Sequence, residues 1–105
     1  MNNKINKSLF IEAKEWHDKT YGNSYFSARI WIDGEVVATL PFQYGYGDHY
    51  KTVAQQWLTD KGYLPLSNRG IWAFADEFGF DYYTVKSVTK KAEMFKVETY
   101  QKVGA

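Results

Sequence analysis

With 105 residues, 45% of them hydrophobic, the chain has the size and apolar content of one globular domain built on a single core. A formal charge of +1 and a pI near 7.9 disfavour both a DNA mimic, which needs a strongly acidic surface, and a non-specific duplex binder, which needs a basic excess. The chain contains no cysteine, which excludes disulfides, thiol catalysis and Cys-rich zinc sites and fits a reducing compartment.

The opening segment MNNKINKSLFIEAKEW holds no apolar run of signal-peptide length. Nowhere is there an apolar stretch of the roughly 18 residues that mark a membrane helix. The expectation is a cytoplasmic protein with no membrane partner, one domain over 1–105, and loose ends at 1–7 and 101–105. Aromatic residues make up 19% of the chain, including 4 Trp and 9 Tyr. That is more than a small core can enclose, so part of the set is expected at a binding surface.

Leu9 to Trp16 alternates, with Leu9, Ile11 and Ala13 on one side and Phe10, Glu12, Lys14 and Trp16 on the other, as a half-buried strand does. His17 to Asn23 reads as a turn. Tyr25 to Ile32 alternates again, placing Phe26, Ala28 and Ile30 against Tyr25, Ser27, Arg29 and Trp31. Asp33-Gly34 signals a hairpin. A two-residue turn would set Val36, Ala38 and Leu40 on the wrong face, because a one-residue slip flips every side chain. A three-residue loop with Gly34 in a G1 bulge keeps them with Ile30, and is the expected form.

Asp48 is a candidate N-cap. Tyr50, Val53, Ala54, Trp57 and Leu58 follow at the spacing of one apolar helix stripe, which Gly62 closes. Asn68 to Phe78 predicts a shorter helix carrying Ile71, Phe74, Ala75 and Phe78, ended by Gly79. Tyr82 to Thr89 predicts a strand. Beyond Lys90 the pattern fits a weak strand or a loose tail. The fold expected is α+β: an antiparallel sheet of three N-terminal strands and one C-terminal strand, order β-β-β-α-(α)-β, with one or two helices on one face. The core face would hold the Leu9, Phe26 and Val36–Leu40 sets. The other face would expose Phe10, Trp16, Tyr25, Arg29, Trp31 and Val37, an apolar surface that marks an interface.

LPFQYGYGDHY, residues 40–50, lies between the third strand and the helix and gathers glycines, tyrosines, an Asp and a His. Loops of this make-up on a rigid scaffold carry binding sites. Glycines before a helix can cradle phosphate, but the loop has no Lys or Arg, Asp48 would fill the anion position itself, and the GK[ST] ending of a P-loop is missing. The plainer reading has Gly45 and Gly47 supplying positive φ at a corner. In either case Tyr44, Tyr46, His49 and Tyr50 form a candidate rim for a partner or a flat ligand. His17 and His49, the only histidines, lack the spacing of a metal pair and a nucleophile to activate. Glu12 with Glu15, and Asp76 with Glu77, read as exposed charges. No catalytic residue, metal ligand or cofactor is assigned. Tyr25, Arg29 and Trp31 could stack bases, but no RNP-type motif accompanies them. Lys86, Lys90, Lys91, Lys96 and Lys102 make the C-terminal part locally basic, as a solvated charged strand also would.

The run GEVVATL, then PFQYGYGDHY leading into a Trp-containing helix and GYLP, resembles short uncharacterised accessory proteins of tailed phages and prophages. The likeness spans about Phe10 to Pro65 and rests mainly on FQYGYGDHY. It implies a stoichiometric binder of a host or defence component, or of a signalling nucleotide, and carries no catalytic role. Two readings stand. One is a non-enzymatic accessory protein, of anti-defence or anti-CRISPR-like kind, that occludes a partner protein. The other is a nucleotide or single-stranded nucleic-acid module that stacks bases on its aromatics. Self-association as a two-fold homodimer, through the outer sheet face or the C-terminal edge strand, is expected with either.

Overall fold

The computed structural model describes residues 4–88. They form strands β1 (Ser8–Asp18), β2 (Asn23–Ile32) and β3 (Glu35–Tyr44), helices α1 (His49–Asp60) and α2 (Ile71–Phe78), and strand β4 (Asp81–Val88). The class and element order are those expected. The sheet runs β3-β2-β1-β4, antiparallel through its first three strands. It is a mixed sheet, because β4 joins β1 in parallel. The chain leaves one edge at β3, crosses a single face through both helices, and comes down at the opposite edge. The expected final strand or tail beyond Lys90 lies outside the described residues.

β1 is central, and its inward residues Leu9, Ile11 and Ala13 are completely buried. Ala28, Ile30 and Phe26 of β2 and Leu40 of β3 continue that layer. Tyr50, Ala54 and Leu58 of α1 close over it, with Ile71, Phe74 and Ala75 of α2. Val53 and Trp57 flank the stripe half-buried rather than filling it, and Trp57 stacks on Tyr63 at 5.9 Å. α1 ends in a Schellman motif, with Tyr63 N–H on the Leu58 carbonyl at 2.8 Å, Gly62 N–H on Thr59 at 3.1 Å, and Gly62 at φ 84°. α2 is three residues shorter at its start than expected, and Phe78 is an exposed residue stacked on Phe74.

The β2–β3 hairpin differs from the expected bulged loop. Ile32 pairs with Glu35 across a two-residue turn whose centre, Asp33 at φ 52° and Gly34 at φ 85°, has the two positive φ values of type I′. The register is corrected further along. Trp31 pairs with Val36 and Ile30 with Ala38, so Val37 is an extra residue and Val36, not Val37, lies on the Trp31 side. A second shift falls between the pairs Ala28–Leu40 and Phe26–Gln43, where Pro41 and Phe42 face Ser27 alone. The strand therefore continues through Pro41 to Tyr44, a segment the sequence pattern assigns to the loop.

Asp33 also ties down the N-terminal segment. Its carboxylate accepts the backbone N–H groups of Lys7 at 2.6 Å, Ser8 at 3.0 Å and Asn6 at 3.2 Å. Ile5 is only 6% exposed and belongs to the core. Residues 4–7 are thus anchored, in place of the loose end expected there. Burial pushes the Asp33 carboxyl up, but the three N–H donors outweigh it and hold its pKa below the ordinary value.

Asn also suits a type I′ turn, so Asp33→Asn removes the charge and leaves the turn conformation intact. It is expected to lower stability by about 1–2 kcal/mol at pH 7. Because the folded carboxyl is the stronger acid, its contribution is complete above about pH 4, the unfolded carboxylate range, and fades as pH falls through the folded value. Urea unfolding of both proteins from pH 7 to pH 3 should show the gap closing at the acid end. In the core, Leu58→Ala should cost about 2–5 kcal/mol in the same assay, and Trp57→Ala less than Leu58→Ala.

Candidate functional site

With both helices on one side, the outer face of the sheet carries the side chains that alternate away from the core, half-buried at Phe10, Trp16, Tyr25, Arg29 and Trp31. At one end Trp16 and Tyr25 are register partners and stack at 5.7 Å. Phe42 completes a triangle with this pair, 5.1 Å from Tyr25 with planes 13° apart and 6.3 Å from Trp16. Tyr44 meets Tyr25 edge-on at 5.9 Å. At the other end Phe10 and Trp31 lie 6.4 Å apart. Between the two clusters Arg29 pairs across the strands with Glu12 at 2.6 Å and places its guanidinium 5.6 Å from the Trp31 ring. The Trp31 indole N–H donates to the same Glu12 carboxylate at 3.3 Å. Glu12, expected with Glu15 as an exposed charge, instead joins Arg29 and Trp31 on this face.

Phe42 joins the cluster because of the irregularity at Pro41. Simple alternation would put Phe42 and Tyr44 on the core side with Leu40; the extra residue sends both outward. A proline inside a strand pattern is the signal for such a bulge.

Tyr44 is also where the chain leaves the sheet. Beyond it Tyr44, Gly45, Tyr46, Asp48, His49 and Thr52 line a cleft of about 440 Å³. The cleft floor depends on close approach at Gly45. A Cβ there would lie 2.6 Å from His49 Cδ2 and 2.7 Å from Phe26 Cε1. His49 rests edge-on against Phe26 at 5.9 Å. Gly45 thus serves packing, and of the two loop glycines Gly47 alone supplies positive φ, at 61°. Lys86 of β4 braces the loop from beneath, donating to the Gly47 carbonyl at 3.0 Å and to Glu15 at 3.3 Å.

Of the four loop residues singled out in sequence, Tyr44, Tyr46 and His49 are exposed around this cleft, Tyr46 by 70%. Tyr50 is not part of the rim. It is 4% exposed and heads the buried stripe of α1, which the i, i+4, i+8 spacing to Ala54 and Leu58 already required. Beneath it Tyr82 has a phenol pKa pushed up to about 12, first by burial, then by the Tyr50 and Asp48 charges, so it stays neutral at any ordinary pH. Asp48 stands at the N-cap position without a side-chain cap bond, and its carboxylate lies 3.6 Å from Lys51. Tyr25, Arg29 and Trp31 share the outer face, and Tyr44 joins them to the cleft.

His17 Nδ1 lies 2.9 Å from Ser24 Oγ across the β1–β2 pairing, an exposed cross-strand contact. Among the described residues no three His, Asp or Glu side chains come together as a metal site, and no helix is long and apolar enough to cross a membrane. Compared with family models, curated proteins and solved structures, the chain matches none.

Tyr46→Ala is expected to change the urea midpoint by no more than about 0.5 kcal/mol of stability, as for an exposed side chain. Gly45→Ala, forced into His49 and Phe26, should cost about 1–3 kcal/mol. Equal effects of the two would mean that Tyr46 packs as a structural residue.

Proposed function

We propose that the chain is a non-enzymatic binding protein of the phage-accessory kind, which occludes a host protein such as a defence component by covering it with the aromatic sheet face and the Tyr44–His49 loop. The observation that carries this reading is the mutual stacking of Trp16, Tyr25 and Phe42. Their centroids form a triangle with sides of 5.1, 5.7 and 6.3 Å, so each ring already packs against the other two. A base needs an open ring face, as sheet-based RNA binders provide; a protein surface packs readily against rigid edges and amphipathic rims. Arg29 is held by Glu12, so this face offers a partner a fixed polar group rather than a free phosphate ligand. Two copies associated about a two-fold axis would present the face twice.

The cleft beside Tyr46 has the volume of a small-ligand site, and a nucleotide is the competing occupant. The readings differ in salt dependence. Contacts to phosphate weaken steeply between about 50 and 200 mM salt, while an apolar protein contact changes little. The expected result is that a protein partner captured by the wild-type chain from bacterial lysate is retained across that range. Tyr46→Ala should bind it at least about thirtyfold more weakly, the loss of a hot spot worth about 2 kcal/mol. Steeply salt-dependent binding of a labelled oligothymidine or of ATP by the wild-type chain, with no salt-resistant partner, would replace this reading with the nucleotide one.

A further inference from the structure

The two edges of the sheet are not equivalent. β3 is guarded by two bulges and by Pro41, which has no N–H to offer. β4 has neither bulge nor proline along Asp81–Val88. Its ladder to β1 identifies which groups have no strand partner among the described residues. The Asp81 N–H donates to the Lys7 carbonyl at 2.9 Å, so in the regular parallel pairing Asp81, Tyr83, Val85 and Ser87 turn their backbone groups toward β1. Tyr82, Thr84, Lys86 and Val88 turn theirs outward. On the outer face next to this edge Tyr83 is 55% and Val85 51% exposed.

We infer that β4 is the seam of a two-fold homodimer, in which β4 pairs antiparallel with β4 of a second copy and extends the sheet across both chains. Cross-strand pairing preferences favour one register. Centring the axis on Thr84 makes Thr84 opposite Thr84 of the second copy a hydrogen-bonded pair, with Tyr82 opposite Lys86 on either side. It sets Tyr83 against Val85, twice, at the closer non-hydrogen-bonded positions. Thr–Thr and aromatic–β-branched pairs are favourable cross-strand combinations. Asp81 meets Ser87, and no like charges face each other. Centring on Asp81 or Lys86 would instead oppose two like charges on the axis. The second copy is therefore the occupant this edge fits, and the inference is independent of what binds the aromatic face.

The chain has no cysteine, so a single introduced one reports unambiguously. Sedimentation equilibrium of the full chain should give twice the 12.3 kDa chain mass. Under mild oxidation Thr84→Cys should form a covalent dimer, since directly opposed hydrogen-bonded residues stand about 5.5 Å apart at Cα, within disulfide reach. Lys86→Cys alone should not, whereas Tyr82→Cys with Lys86→Cys should. In hydrogen exchange, the outward amides of Tyr82, Thr84 and Lys86 should be as protected as the inward ones. A mass of one chain at about 100 μM, where even a weak interface of micromolar Kd is filled, overturns the proposal. So does a dimer that cross-links no faster through Thr84→Cys than through Lys86→Cys.

Discussion

One extra residue in β3, where Pro41 and Phe42 face Ser27 alone, governs the arrangement of the candidate surface. Strand side chains alternate strictly, so the insertion exchanges the faces of everything beyond it. Leu40 stays in the core while Phe42 and Tyr44 swing outward, and Phe42 packs against both Tyr25 and Trp16. Without that shift Tyr44 would point beneath the sheet and the outer aromatics would stop short of the loop. Pro41 suits the position because an edge residue at a bulge can do without its N–H. The same irregularity blunts one edge of the sheet, and among the described residues β4 is the other edge.

The loop that follows is held from several sides. Gly45 lets Phe26 and His49 close on the backbone, and Lys86 reaches from β4 to the Gly47 carbonyl. Tyr50 and the half-buried Tyr82 fill the space below, and the Tyr82 phenol stays neutral. Tyr46 is therefore an exposed aromatic on a fixed backbone.

The sequence made the class, the element order and the inner face legible. Leu9, Ile11 and Ala13, then Phe26, Ala28 and Ile30, carry a period of two that only a half-buried strand needs. Gly62 and Gly79 mark helix ends because both adopt the left-handed conformation there. The hairpin loop is not legible from local register, because the compensating bulge lies outside the turn. Asp33-Gly34 does form the two-residue turn its residues favour, and the bulge at Val37 restores the register a few residues later. The parallel pairing of β4 with β1 joins residues more than seventy positions apart, such as Ser8 and Asp81, and no local pattern encodes it. Asp33 looked like a turn residue alone, since the N–H groups it accepts come from a segment with no pattern of its own. Within the site, Tyr50 belonged both to the loop motif and to the helix stripe, and burial decided for the stripe. Phe42 and Glu12 were missed for opposite reasons: a bulge moved the first, and only cross-strand pairing gives the second its partners.

The central claim is that the outer sheet face and the Tyr44–His49 loop act together as one protein-contact surface. The most direct measurement is residue-level oxidative footprinting of the chain free and in complex with a partner isolated from bacterial cells. The account predicts joint protection of Trp16, Tyr25, Phe42 and Tyr46, with the exposed Trp72 on α2 reacting as in the free chain. Protection of Trp72 with unchanged labelling of Tyr25, Phe42 and Tyr46 would place the contact on the helical side and contradict it.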